Sequence, residues 1–70
     1  MKRQNVLSSD ITSIGYDEST QILEVEFKHG DVYQYYNVPK EVYKGLISAS
    51  SHGKYFHAHI RDVYRYSKIS

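Results

Sequence analysis

A chain of 70 residues with nine Lys/Arg against eight Asp/Glu, for a formal net charge of +1, reads as one small domain. With no cysteine it has neither a disulfide framework nor a thiolate metal site. The near-zero charge argues against a strongly basic nucleic-acid footprint, and no apolar run approaches bilayer length.

Residues 1–8 are polar and read as a flexible N-terminal segment, followed by a single domain over 9–70. The basic start Met1-Lys2-Arg3 leads into no hydrophobic signal region, so the expectation is a soluble, cytoplasmic protein. Ile11 to Tyr16 reads as a short strand with Ile14 and Tyr16 on one face. Asp17-Glu18-Ser19-Thr20 is a polar turn. From Ile22 to Phe27, Leu23, Val25 and Phe27 alternate with Glu24 and Glu26, giving a strand with one buried face and one wet face. Glu24 and Glu26 read there as ordinary solvent-facing charges.

Asp31 to Val38 is the third strand, and the preceding turn decides which of its tyrosines face inward. A one-residue slip would reverse every side chain. A three-residue loop Lys28-His29-Gly30, with Gly at the left-handed position, sets Val25 opposite Tyr33 and Leu23 opposite Tyr35. A two-residue His29-Gly30 turn would instead bury Val32 and Tyr36. The three-residue loop is the preferred reading.

Pro39 ends the strand and suits a helix start. Val42, Tyr43, Leu46 and Ile47 then mark one face of a helix. Gly45 weakens that helix by about 1 kcal/mol relative to Ala, a sign of close packing. Ser50 or Ser51 caps a second helix that runs to about Arg61, with Tyr55, Phe56, His59, Ile60 and Val63 at helical spacing. Tyr64 to Ile69 alternates again, as a fourth strand or an extended tail. The expected fold is α+β: a three-stranded antiparallel meander packed by two short helices, with a possible fourth C-terminal strand. Phe27, Leu46, Phe56 and Ile60 are expected at the joint between sheet and helices.

The order and spacing of these residues resemble the KTSC domain. The resemblance is carried by Ser9 with Ile11, Ile14-Gly15-Tyr16-Asp17, Leu23-x-Val25-x-Phe27 and Gly30-x-x-Tyr33-x-Tyr35-x-x-Val38-Pro39. Beyond these come Leu46, Ala49, Ser51-x-Gly53-x-Tyr55-Phe56, Ile60-Arg61 and Tyr64, so it spans nearly the whole chain. Members often carry Asn after the aromatic pair, where this chain has His57. The family is named for the C-terminus of some lysyl-tRNA synthetases and also occurs as free-standing small proteins. The resemblance therefore implies a small module with RNA as a suggested partner.

Eight residues are tyrosine and two are phenylalanine. Tyrosine serves equally as half-buried core and as a platform for an unpaired base. Charge is uneven as well. From Ser51 to Ser70 the sole acid is Asp62, against Lys54, Arg61, Arg65 and Lys68. That concentration points to an anionic partner. The candidate nucleic-acid-binding residues are accordingly Lys54, Arg61, Arg65 and Lys68 for phosphates, with Tyr36, Tyr55 and Tyr66 for stacking. Gly53, near a helix start, offers free backbone N–H groups to an anion. A solvated basic face is the plain alternative, and Tyr33 and Tyr35 read first as core rings.

The histidines fit no zinc spacing, and His59 reads as a hydrogen-bonded core imidazole. No nucleophile elbow or phosphate loop is present, so neither an enzyme nor a cofactor is expected. The expected function is a noncatalytic binding module for RNA or another nucleic acid. The alternative is a protein-interaction module, or a small-nucleotide pocket, built on the same aromatic patch. No membrane partner is expected, and oligomeric state is left open.

Overall fold

Alternation along Ile22–Phe27 does build a strand, and it becomes the centre of the sheet. The computed structural model describes residues 1–70. Its elements in chain order are β1 (Arg3–Asn5), β2 (Ile11–Asp17), β3 (Ile22–Phe27), β4 (Val32–Tyr35), α1 (Lys40–Ser48), α2 (His52–His59) and β5 (Tyr66–Lys68). The strands form one five-stranded antiparallel sheet in the order β1-β2-β3-β4-β5. This corrects the expected three strands with a possible fourth. The C-terminal strand forms on β4, and a further strand forms within the polar N-terminal segment. All three residues of β1 are exposed, so no apolar alternation announced it.

The β3–β4 hairpin takes the preferred register. Val25 pairs with Tyr33 and Leu23 with Tyr35. Gly30 sits at φ 102°, and the Phe27 N–H donates to the Asp31 carbonyl at 2.9 Å, which closes the three-residue loop. Strand β4 is shorter than read from sequence, because Asn37 adopts φ 57° and turns the chain before Val38.

A bulge in β2 explains another departure from simple alternation. The register shifts between Ile11 and Ser13, so Thr12 and Ser13 together oppose Glu26. Ile11 and Ile14, three apart, thereby both reach the core. The helices close that core. Leu46 of α1, Phe56 of α2 and Ile60 beyond it are buried against Ile14, Leu23 and Val25. Phe27 is only half-buried, with its ring edge-to-face on Phe56 at 5.3 Å. Ser51 caps α2 by accepting from the Lys54 N–H at 3.3 Å. Helix α2 ends at His59, two residues before the expected limit.

The opposite sheet face is not simply wet. Glu24 is 6% exposed, which corrects its reading as a solvent-facing charge. Arg3 reaches over Gly15 to pair with the Glu24 carboxylate and donates from Nε to Ser13 Oγ at 3.0 Å. Ser13 donates to Glu26 at 2.8 Å, and Gln34 donates to Glu24 at 2.9 Å. Gly15 makes this possible. A β carbon there would lie 3.0 Å from Arg3 Cγ and 3.0 Å from the Lys2 carbonyl oxygen.

Candidate functional site

The aromatic residues converge where α2 stops short of the sheet edge. Tyr33 and Tyr35 alternate with Gln34, so both rings face the helices. Tyr35 is 5% exposed and meets Phe56 edge-to-face at 5.4 Å. Tyr33 is half-buried, with Phe27 at 5.7 Å on one side and Tyr66 at 5.6 Å on the other. The β4–β5 pairing places Tyr66 opposite Tyr35 and Lys68 opposite Tyr33. Tyr66 is 57% exposed, and nothing covers its outer side.

These rings line a cleft of about 630 Å³. Phe27, Tyr33, Tyr35, Phe56 and Tyr66 supply its apolar surface. Lys28 and His29 contribute from the hairpin loop, Asp10 from just before β2, His57 from the last turn of α2, and Arg61 and Asp62 from the turn after it. His29 stacks on Phe27 at 5.7 Å. The question of core against platform thus has a double answer. Tyr33 and Tyr35 pack the core with one part of each ring and line the cleft with another. Burial, then the neighbouring Tyr33 and Tyr66, push the Tyr35 hydroxyl up to about 12, so it is a neutral hydrogen-bonding group at ordinary pH.

Arg61 stands at this cleft largely in solvent. Its Nη1 lies 3.3 Å from His57 Nδ1, and its Nε lies 3.9 Å from the Asp62 carboxylate. A guanidinium only donates, so His57 offers the lone pair of Nδ1 to it. The pair with Asp62 is long and exposed, which leaves Arg61 free to meet a ligand.

A second, shallower depression of about 650 Å³ is lined by Tyr36, Val63, Tyr64, Arg65 and Ser67. It shares Asp62 and Tyr66 with the first, so the two are contiguous. The Tyr36 N–H donates to the Arg65 carbonyl at 2.9 Å, which fixes the chain there.

The residues singled out from sequence therefore divide. Arg61 and Tyr66 line the cleft; Tyr36, Arg65 and Tyr66 line the adjoining depression. Lys68 stands beside Tyr33 and pairs with Asp31 at 3.6 Å. Lys54 is exposed on α2 and lines neither hollow, and Tyr55 packs between the helices with its ring 4.4 Å from His59. At Gly53 the anion position is taken. A β carbon there would meet Asp10 Oδ2 at 2.7 Å, so a carboxylate of the chain itself already faces the start of α2. His59 is exposed, not a core imidazole, because α2 turns that side to solvent. The buried-side histidine role falls instead to His52, whose Nδ1 lies 2.8 Å from the Leu46 carbonyl and satisfies the end of α1.

Sequence reasoning missed Asp10, Phe27, Lys28 and His29 as cleft residues. Two signals were available. A Lys-His pair occupies the hairpin loop, and Phe27 ends the strand that pairs with the tyrosine strand.

A five-stranded antiparallel sheet, two helices on one face and an aromatic cleft left open at the edge define a small α+β domain. The KTSC domain profile matches residues 7–66, and the chain belongs to that family. Membership makes it a small noncatalytic domain. It is 46% identical over 70 residues to an uncharacterised protein of Stutzerimonas stutzeri, covering 99% of each chain. It is 40% identical over 62 residues to a lysine–tRNA ligase of Trichormus variabilis, of which the match spans 11%. The solved structure of a KTSC domain protein from Yersinia pestis superposes with a TM-score of 0.94 at 40% identity, covering 99% of this chain and 97% of that one. No helix is long and apolar enough to cross a membrane.

Proposed function

We propose that the chain is a noncatalytic module that binds unpaired RNA, or another single-stranded nucleic acid, across the aromatic cleft and the depression beside it. The observation that carries this reading is Tyr66. Its ring is more than half exposed, stands between two contiguous hollows and is backed by Tyr33 and Tyr35. A base stacked on such a ring gains about 1–3 kcal/mol. Arg61 and Arg65 lie one in each hollow and supply phosphate contacts, with Lys68 next to Tyr33 and Lys54 further off. The occurrence of a similar segment in proteins named lysine–tRNA ligases supports an RNA partner.

The charge balance shapes the expected behaviour. Within the cleft Lys28 and Arg61 are matched by Asp10 and Asp62. Stacking therefore carries more of the affinity than counterion release. Even four phosphate contacts would give a log–log salt slope of about −3, at roughly −0.7 per contact on a single strand. Tyr66→Ala should weaken binding of a short single-stranded RNA by about tenfold or more, with Tyr66→Phe retaining most of it. Arg61→Ala and Arg65→Ala should each weaken binding and shorten the slope by about 0.7. Equal affinity of wild type and Tyr66→Ala would remove the reading.

A second reading has its own observation. Strand β5 is an open sheet edge carrying Tyr66, with Val63 60% exposed and Ile69 48% exposed nearby. A protein strand added to that edge would use the same aromatic patch. Binding that ignores salt and survives Arg61→Ala and Arg65→Ala would favour it.

A further inference from the structure

Two histidines line the cleft from different elements, His29 from the hairpin loop and His57 from the last turn of α2. Each touches a group that decides what the cleft offers an anion. His29 Nδ1 lies 3.5 Å from one oxygen of the Asp31 carboxylate, and the other oxygen is 3.6 Å from Lys68 Nζ. Lys68 stands opposite Tyr33, whose ring lines the cleft. His57 Nδ1 lies 3.3 Å from Arg61 Nη1. The other charged groups of the cleft are Lys28, Asp10 and Asp62, and its other titratable groups are the hydroxyls of Tyr33, Tyr35 and Tyr66. Lys54, one turn before His57 on α2, lines neither hollow. With neutral histidines the formal charges balance, Lys28, Arg61 and Lys68 standing against Asp10, Asp31 and Asp62.

We infer that binding of an anionic strand at this cleft is coupled to proton uptake by His29 and His57, so that acidification strengthens it. This rests on the nucleic-acid reading above and adds its regulation by pH. Histidine is the side chain that ordinarily changes charge between pH 5 and 8. A protonated His57 has no lone pair to offer, so it no longer accepts from Arg61, and two like charges then stand side by side. A phosphate placed between them relieves that repulsion and engages both. A protonated His29 is a second cation on Asp31, in competition with Lys68. One carboxylate balances one of the two, and the surplus charge is left for the strand. Each protonation therefore adds a positive charge beside the rings and loosens a cation already present. Linkage is reciprocal: a ligand that prefers the protonated protein also draws protons onto it. Affinity then rises as pH falls, while stacking on Tyr66 needs neither proton.

The probe is a uridine hexanucleotide without terminal phosphates, because neither uracil nor a phosphodiester titrates between pH 5.5 and 7.5. Isothermal calorimetry gives its affinity at both pH values, and repetition in buffers of different ionisation heat counts the protons taken up. The expected result is tighter binding at pH 5.5 by roughly fivefold for each histidine, the effect of one added charge at an exposed site, with net proton uptake. Asn places a polar atom near the position of Nδ1 but takes up no proton. His29→Asn and His57→Asn should each remove roughly fivefold from the ratio of the two affinities, and the double variant should bring that ratio near one. The ratio is read within each protein, so a change in overall affinity does not disturb it. Equal wild-type affinity at the two pH values, without proton uptake, overturns the inference while the nucleic-acid reading stands. A wild-type ratio preserved in the double variant overturns the part given to these histidines. Absence of binding at either pH overturns both. Both side chains are exposed, so the variants are expected to fold, and the wild-type ratio decides the matter even where one does not.

Discussion

The Tyr55 ring lies directly over the α carbon of Gly45. A β carbon added there would lie 2.9 Å from Tyr55 Cε2, with Cζ and the hydroxyl closer still. The glycine is how α1 and α2 come together, and its weak helix propensity is the accompanying cost. Gly45→Ala gains about 1 kcal/mol of propensity but forces an overpacked joint that costs about 1–3 kcal/mol. The net expectation is a destabilised domain. Tyr55→Phe should not rescue it, because the ring carbons clash as well, whereas Tyr55→Ala should recover part of the loss. A double-mutant cycle by urea denaturation checks this, and strictly additive effects would contradict it.

Arg3 and Glu24 give a second expectation. Glu24 is nearly enclosed, so Arg3→Ala leaves its carboxylate without its charge partner. The loss should be about 1–3 kcal/mol, with the one-third exposure of the Arg3 side chain holding it to the lower part of that range. Replacing both residues with Leu should restore much of it. An Arg3→Ala protein as stable as wild type would show that the Arg3–Glu24 pair contributes nothing to stability.

Alkaline pH should loosen the fold through Tyr35. Its hydroxyl titrates near 10 when unfolded and near 12 when folded, because burial disfavours the phenolate. The stability this represents is complete below pH 10, where both states hold the proton. It is lost as pH rises from 10 to 12, where only the unfolded chain releases it. The steepest slope is about 1.4 kcal/mol per pH unit. Burial also raises Tyr16, which adds to the loss with the same sign. Tyr35→Phe should flatten the profile in chemical denaturation across that window, and an unchanged slope would contradict the assignment.

Much of this was legible in the sequence, for reasons that particular residues make plain. Gly30 fixed the loop length, and the loop length fixed the inward direction of Tyr33 and Tyr35. Pro39 and Ser51 marked both helix starts. Strand β1 was hidden because its residues are exposed and polar. Its hold on the sheet comes through backbone pairing with β2 and through Arg3, whose partners Ser13 and Glu24 lie ten and 21 residues away. The bulge at Ser13 was hidden for a similar reason, since it shows only in the pairing with Glu26. The cleft was half visible. Tyr66 and Arg61 stood out in the C-terminal stretch, but Asp10, Lys28 and His29 join them only when the hairpin loop folds beside α2. Asp10 at Gly53 is a contact between distant segments, and no local pattern encodes it.

The central claim is that the Tyr66 cleft receives an unpaired base. A chemical-shift titration of the labelled protein with a short single-stranded RNA at two salt concentrations tests it most directly. The account predicts shifts concentrated at Phe27, Tyr33, Tyr35, Phe56, Arg61 and Tyr66, saturable at both salts, with a log–log salt slope no steeper than about −3. Shifts confined to Lys54 and the outer surface of α2, or an absence of saturable shifts at either salt, would contradict it.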